Sequence, residues 1–273
     1  MTTKVSASVV LYNTPEPLLE RLLSSIAQSS LHLKTYLIDN SPVALSYPCM
    51  QQRDLIYIKA ECNKGYGAGH NIALKKEIEQ SEFHFVLNPD IYFASTALES
   101  MVHFMQKDTS IGQLMPKIVY PDGSLQYLCK LLPTPADLIF RRFVFGPLKK
   151  LVQRSNNRFI LYDADYSLPM DVPNLSGCFM LLRTSALRKV GIFDERFFMY
   201  LEDFDLTRRI RAHFRTIYYP YATVVHDHAR ASYKSRRALQ THIESAVKYF
   251  NKWGWVFDEQ RDRFNNKTLE QLK

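Results

Sequence analysis

No stretch of about 18 consecutive apolar residues occurs in the 273-residue chain, which argues against a membrane-spanning helix. The amino terminus, MTTKVSASVVLYNT, has no basic region followed by an apolar core and runs straight into an extended apolar segment, so no secretory leader is expected. Cysteine is scarce: Cys49, Cys62, Cys129 and Cys178 are never spaced C-x-x-C. That excludes the usual zinc and disulfide patterns and fits buried thiols in a reducing cytoplasm. Zinc-finger, helix-turn-helix and RNA-recognition signatures are missing, so nucleic acid is not an expected partner. The chain also lacks a Gly-Lys-Ser/Thr phosphate loop, a dinucleotide G-x-G-x-x-G, internal repeats and low-complexity tracts.

What is present reads as an ordinary globular chain. Apolar residues make up 46% and charged residues 23%, values of a domain with a sizeable core. The net charge of +8, from 35 Lys and Arg against 27 Asp and Glu, favours an anionic partner such as a phosphorylated substrate or a membrane surface.

The chain is organised around residues 83–93, FHFVLNPDIYF. Phe85-Val86-Leu87 is predicted to be a strand buried on both faces. Pro89 cannot donate to a sheet ladder and forces Asn88 out of the helical region, so the strand ends in a turn that holds up Asp90. In open α/β sheets ligands bind beyond the carboxyl ends of strands. A carboxylate there either closes an Asx turn or shares a divalent cation with a phosphate.

Strands are predicted at 5–11, 35–38, 55–59 and 112–120, and helices at 17–29, 70–80 and 96–106, where apolar spacing is helical. This alternation describes a half-Rossmann nucleotide-binding layer. The loop Asn63-Lys64-Gly65-Tyr66-Gly67-Ala68-Gly69-His70-Asn71 reads either as backbone that a ligand approaches closely, with the following helix N-terminus facing a diphosphate or ribose, or as a plain turn. Residues 138–154 interleave aromatic and basic side chains, which suits a segment resting on an anionic membrane or a helix with a solvated basic face. Gly177 enters an apolar strand and leaves room for a ligand or a bend. Glu202, Asp203 and Asp205 open a helix after several bulky apolar residues. The helix dipole favours acids there, and a partly desolvated Asp is also a candidate general base. His226 and His228 follow a predicted strand, where a histidine can be a metal ligand or a polar tip. The segment 251–273 is predicted to be a polar tail, helical or frayed.

The stretches VSASVVLYNT, YLIDNS, NKGYGAGHN, LNPD, SGCFMLLRTSAL, GIFDERFFMYLEDFDLTRR and VVHDHARAS, in this order, resemble the family 2 glycosyltransferases, in particular the bacterial rhamnosyltransferase-like branch. The resemblance spans residues 4–250. It implies a GT-A fold in one domain, 1–250, whose half at 4–125 binds a nucleotide sugar and whose half at 126–250 binds the acceptor. It implies inverting transfer of a sugar from a nucleotide diphosphate to a hydroxyl. Tyr12, Asn13 and Asp39 would meet the nucleobase and ribose. Asn63, Gly65, Gly67 and Asn71 would lie beside the ribose and phosphates. Asn88-Pro89-Asp90 matches the family's Asp-x-Asp metal motif with Asn in place of the first Asp. Asp90 with His226, or His228 in the other register, would hold Mg²⁺ or Mn²⁺. Glu202 and Gly177 would contact the sugars, and Asp203 would be the base.

The branch resemblance implies dTDP-L-rhamnose as donor, with a UDP sugar as the alternative. It implies a lipid-linked oligosaccharide acceptor for a bacterial surface polysaccharide such as O-antigen or capsule, at the cytoplasmic face of the plasma membrane. The rival readings are a non-catalytic nucleotide-sugar-binding relative, which Asn88 favours, and a nucleotidyltransferase. The latter needs a Gly-rich basic loop after the first strand, where this chain has YNTPEP.

Overall fold

The computed structural model describes residues 3–52, 54–138, 149–227 and 236–272. Val5–Leu11 forms β1, buried along its whole length, as a run of β-branched and small residues covered on both faces must be. The amphipathic α1, Glu16–Ala27, covers it with Leu19, Leu22, Leu23 and Ile26. Next come β2 (Leu33–Asp39), β3 (Leu55–Lys59), α2 (Tyr66–Glu77) and β4 (Phe83–Leu87). Then follow β5 (Ile91–Phe93), α3 (Ala97–Lys107) and β6 (Ile111–Val119). The carboxyl half adds α4 (Lys149–Phe159), β7 (Met170–Asp171), β8 (Phe179–Arg183) and α5 (Thr184–Val190). It ends with α6 (Glu202–Arg211), β9 (Arg215–His226), α7 (Arg236–Trp253) and α8 (Glu259–Gln271).

All strands of the described residues join one nine-stranded sheet in the order β3-β2-β1-β4-β8-β6-β9-β5, with β7 on β9. The first four are parallel; β8 enters antiparallel to β4 and β6. The two functional halves expected from the sequence therefore share one sheet and one core. The short β5 escaped sequence reading because Pro89 hides the restart of extended backbone after the turn. It leaves β4, crosses over and pairs antiparallel with β9, Ile91 opposite His226.

Two expectations change. Helix α2 starts at Tyr66 rather than His70, so Gly67 and Gly69 lie inside it. A Cβ at Gly67 would stand 2.9 Å from Cβ of Phe193, and one at Gly69 would stand 2.7 Å from Val10. Their missing side chains let the helix sit close to β1 and to the 190s loop. Gly65, at φ +100°, has its own requirement: a Cβ there would overlap the carbonyl of Phe198.

The second change concerns 251–273. It is no frayed tail. Asp258 caps α8 through the amide of Arg261, and Phe264 and Thr268 are buried. Asp258 also takes a bidentate ion pair from Arg208 of α6, at 2.7 Å for one of its two bonds. The guanidinium, 1% exposed, stacks 4.1 Å from the ring of Trp253. The basic aromatic segment at 138–154 and the alternative ligand His228 lie largely outside the described residues.

Removing one partner of a buried pair leaves a buried charge uncompensated, which costs about 3–5 kcal/mol. Asp258→Ala is therefore expected to lower the unfolding free energy by about that amount in chemical denaturation. A loss below about 1 kcal/mol would mean that the pair is effectively solvated.

Candidate active site

Strand pairing assembles the first cluster. Because β5 lies against β9, the amide of Asp227 donates to the carbonyl of Asp90 at 2.9 Å, and Oδ1 of Asp90 stands 3.3 Å from Nε2 of His226. The other ring nitrogen, Nδ1, lies 3.0 Å from Oε1 of Gln126. The Gln126 amide in turn donates to the His226 carbonyl at 2.9 Å. The ring is thereby fixed with Nε2 toward the carboxylate, as a liganding imidazole is usually held. Burial pushes the imidazole down, but the Cys178 sulfur and the Asp90 carboxylate beside it raise its pKa to about 10. Oδ1 of Asp90 is buried without a hydrogen bond. With the ring proton displaced by the metal, a carboxylate and an imidazole facing one point would fit a divalent cation that takes its remaining ligands from a diphosphate and water. Among the described residues no group of three or more His, Cys, Asp or Glu side chains is arranged to hold a metal.

The second cluster sits at the start of α6. Two consecutive non-glycine residues, Tyr200 (φ 70°) and Leu201 (φ 63°), are left-handed just before Glu202. Such positions cost about 1–3 kcal/mol each and persist where packing enforces them. Here Leu201 is buried, and the preceding Met199 carbonyl accepts from Ser245 at 2.8 Å. The bend points Asp203 at Gly177, whose amide donates to Oδ2 at 3.0 Å. The amide of Phe204 donates to Oδ1 at 2.9 Å. The third acid, Asp205, is fully buried and holds Arg209, Trp253 and Lys252, so it is structural.

Tyr66 joins the two clusters. Its hydroxyl donates to the Gly177 carbonyl at 2.7 Å and lies 3.0 Å from Oδ1 of Asn88. Gly177 is closely packed: a Cβ would stand 3.3 Å from Cβ of Asp203, which would have to give by a few tenths of an ångström, and 3.5 Å from the Tyr66 ring. Burial first, then Cys178, Glu202, Asp203 and Asp90 around it, hold the phenol well above its ordinary pKa. It stays a neutral donor among acids. Sequence reading missed Tyr66 and Gln126. Tyr66, an aromatic between two glycines, carried a signal; Gln126 carried none.

A cavity of about 260 Å³ opens at the carboxyl ends of β1 and β2, lined by Tyr12, Ser41, Lys59, Asn63, Phe198 and Arg237 among others. Asn13, at φ 48°, stands beside it, with its amide donating to Ser41 Oγ at 2.8 Å. Asp39 is placed differently from expectation. It is 0% exposed, and its carboxylate accepts from the amides of Ser41 and Leu45 and from the Tyr57 hydroxyl. It shapes the wall formed by Asn40 and Ser41 instead of facing the cavity. Asn71 is likewise turned away: its side chain exchanges hydrogen bonds with the backbone of Phe193. Asn63 does face the cavity, its Oδ1 accepting from the Gly65 amide.

Burial, then repulsion from Asp203, raises the Glu202 pKa well above 4.5, and its Oε2 has no hydrogen-bond partner. Asp203 also shifts up through burial, opposed by Lys130 and its two amide donors. A carboxyl whose folded pKa is raised is at its most favourable below the ordinary value and loses that stability as pH rises through the folded one. Glu202→Gln is therefore expected to raise the thermal midpoint over the parent at pH about 8, with the gap closing as pH falls toward the ordinary carboxylate range. A gap independent of pH in melting curves would contradict the buried-acid assignment.

The glycosyl transferase family 2 model matches residues 6–191. The chain is 28% identical to an N-acetylglucosaminyl-diphospho-decaprenol L-rhamnosyltransferase of Mycobacterium tuberculosis, covering 92% of this chain and 87% of that one. It is 26% identical to the rhamnosyltransferase WbbL of Escherichia coli, covering 94% and 97%. Solved structures share the fold at low identity. For residues 1–349 of Staphylococcus aureus TarS the TM-score is 0.59 at 17% identity, covering 98% of this chain and 71% of that one. For the Pyrobaculum calidifontis mannosyltransferase PcManGT with GDP-Man and Mn²⁺ it is 0.57 at 16%, covering 91% and 65%. The mixed sheet is thus the GT-A architecture expected from the motifs, and the chain belongs to glycosyl transferase family 2 and is a rhamnosyltransferase-like glycosyltransferase.

Proposed function

We propose that this glycosyltransferase moves L-rhamnose from dTDP-L-rhamnose, with inversion, to a hydroxyl of a lipid-linked oligosaccharide. It would thereby build a bacterial surface polysaccharide at the cytoplasmic face of the plasma membrane. The observation that carries the site assignment is the hydrogen-bonded path from Asn88 through Tyr66 and Gly177 to Asp203. It places the turn carrying Asp90 and the carboxylate of Asp203 around one phenol. The rhamnose and the lipid carrier rest on the relatives: one is named for L-rhamnose and a decaprenol diphosphate, the other for rhamnose alone.

In this reading Tyr12, Asn13, Ser41 and Asn63 receive the nucleobase and ribose. Asp90 and His226 would hold Mg²⁺ or Mn²⁺, which would supply positive charge to neutralise the departing diphosphate. Asp203 takes the proton of the acceptor hydroxyl as it attacks the anomeric carbon. Its raised pKa makes it a stronger base than an exposed aspartate. Gly177, having no side chain, lets that carboxylate approach its amide closely. Glu202, buried beside it, is the partner whose carboxyl is pushed up by burial and by repulsion from Asp203. Asp90 and Asp203 divide the two tasks because a carboxylate on a cation is a poor base.

Asp203→Asn is expected to lower kcat by about 10²–10⁴-fold and to leave nucleotide binding intact. Near-normal turnover would remove Asp203 from the base role. Asp90→Ala is expected to abolish the Mn²⁺-dependent part of the heat of nucleotide binding in calorimetry, and unchanged heats would reject the cation site. The non-catalytic reading, favoured only by Asn88, predicts no slow hydrolysis of the donor by water. A measurable rate excludes it.

A further inference from the structure

One surface has no place in the reaction above. Helix α7 buries Ser245, Tyr249 and Phe250, and on its outer side Ile243 and Val247 are 48% and 40% exposed. They stand one turn apart. Asn251 continues the row a turn later, and the indole of Trp255 donates back to its Oδ1 at 2.9 Å, extending the stripe past the helix end. Trp255, Val256 and Phe257 are then 42%, 70% and 93% exposed. Three consecutive exposed apolar residues are not expected on a soluble surface without a function.

The turn that presents them is built, not loose. Gly254 takes φ +106°, and a Cβ there would lie 2.6 Å from the Phe257 carbonyl. Arg261 donates to the Val256 carbonyl at 2.9 Å, and Asp258 is anchored on Arg208. The chain thus fixes an apolar tip in which Trp255 lies 5.2 Å from the Phe250 ring and Val256 and Phe257 stand largely exposed among the described residues.

The charges around the stripe choose its partner. Arg236, Arg237 and Lys248 are exposed on the same helix, and Glu244 is its only acid. An aromatic and aliphatic tip on a basic helix is the composition of a surface that lies in the headgroup region of an anionic bilayer. The stripe also runs toward the site. Arg237 lines the cavity at the far end of α7, about 25 Å from the tip at 1.5 Å per residue. Phe198 lines it too, and the next residue, Met199, is 40% exposed.

We propose that the outer face of α7 and the Trp255–Val256–Phe257 turn form the docking surface for an anionic membrane. In this orientation the cavity mouth opens along the bilayer, where a lipid-borne acceptor is presented. Its significance for the acceptor rests on the transferase reading; the membrane contact itself does not.

The test uses the full chain and sedimentation with phosphatidylcholine vesicles, with or without phosphatidylglycerol. The parent is expected to pellet with the anionic vesicles and to be released by high salt. Phe257→Asp and the double variant Trp255→Ser/Phe257→Ser are expected to bind those vesicles at least about tenfold more weakly. Both are expected to keep the parent's melting curve and its donor hydrolysis in solution. The parent's tryptophan emission is expected to shift to the blue on anionic vesicles, and Trp255→Phe should lose that shift while still pelleting. Pelleting of Phe257→Asp at parental levels would overturn the proposal, and so would a parent that stays in the supernatant. Light scattering that shows a dimer abolished by Phe257→Asp would replace the membrane with a second copy. If hydrolysis is absent while vesicle binding behaves as stated, the transferase reading fails and the surface stands.

Discussion

The Tyr66 hydroxyl is the contact on which the proposed site depends. It is the point where the first turn of α2, the turn after β4 and the turn leading into β8 meet. A phenol in that position cannot ionise easily, because burial and four neighbouring acidic groups oppose a further negative charge. It therefore remains a fixed donor. Its bond to the Gly177 carbonyl and its proximity to Asn88 couple the turn that carries Asp90 to the loop that receives Asp203. Glycine at 177 is what lets the carboxylate and the ring approach the same backbone from two sides.

The acids of α6 show how one short run is sorted by its surroundings. Glu202, Asp203 and Asp205 would all be favoured at a helix N-terminus. Asp205 is fully buried, yet arginine, lysine and indole donors surround it. Glu202 is buried with one oxygen unpartnered. Asp203 is only partly buried and accepts two backbone amides, which orient it and leave it reachable. The strained Tyr200-Leu201 pair sets this register. The cost of two left-handed bulky residues is offset by packing of Leu201 and the anchored Met199 carbonyl.

The carboxyl-terminal helices extend the same logic outward. Arg208 leaves α6 on the side away from the site and closes on Asp258 and Trp253. The helix that carries Asp203 is therefore held from behind by residues that looked like a tail. The sequence understated this part because α8 is polar on average, and its few buried side chains, Arg261, Phe264 and Thr268, become visible only once a partner surface exists.

Sequence alone determined the order of strands and helices in the first half, the turn at Asn88-Pro89-Asp90 and the family motifs in their order. These are set by local rules: runs of apolar residues, the ring of proline, and short patterns that a local read can see. Some expected contacts carry packing the sequence did not show: Gly67, Gly69 and Asn71 pack α2 against its neighbours, and Asp39 accepts hydrogen bonds in the wall beside the cavity. Only the tertiary structure decided these, and only it paired β5 with β9 to bring Asp90 to His226, or turned Gly177 toward Asp203. The physical reason is that such contacts join residues far apart in the chain, and their geometry is fixed by the packing of the whole sheet, not by any pattern within reach of one segment.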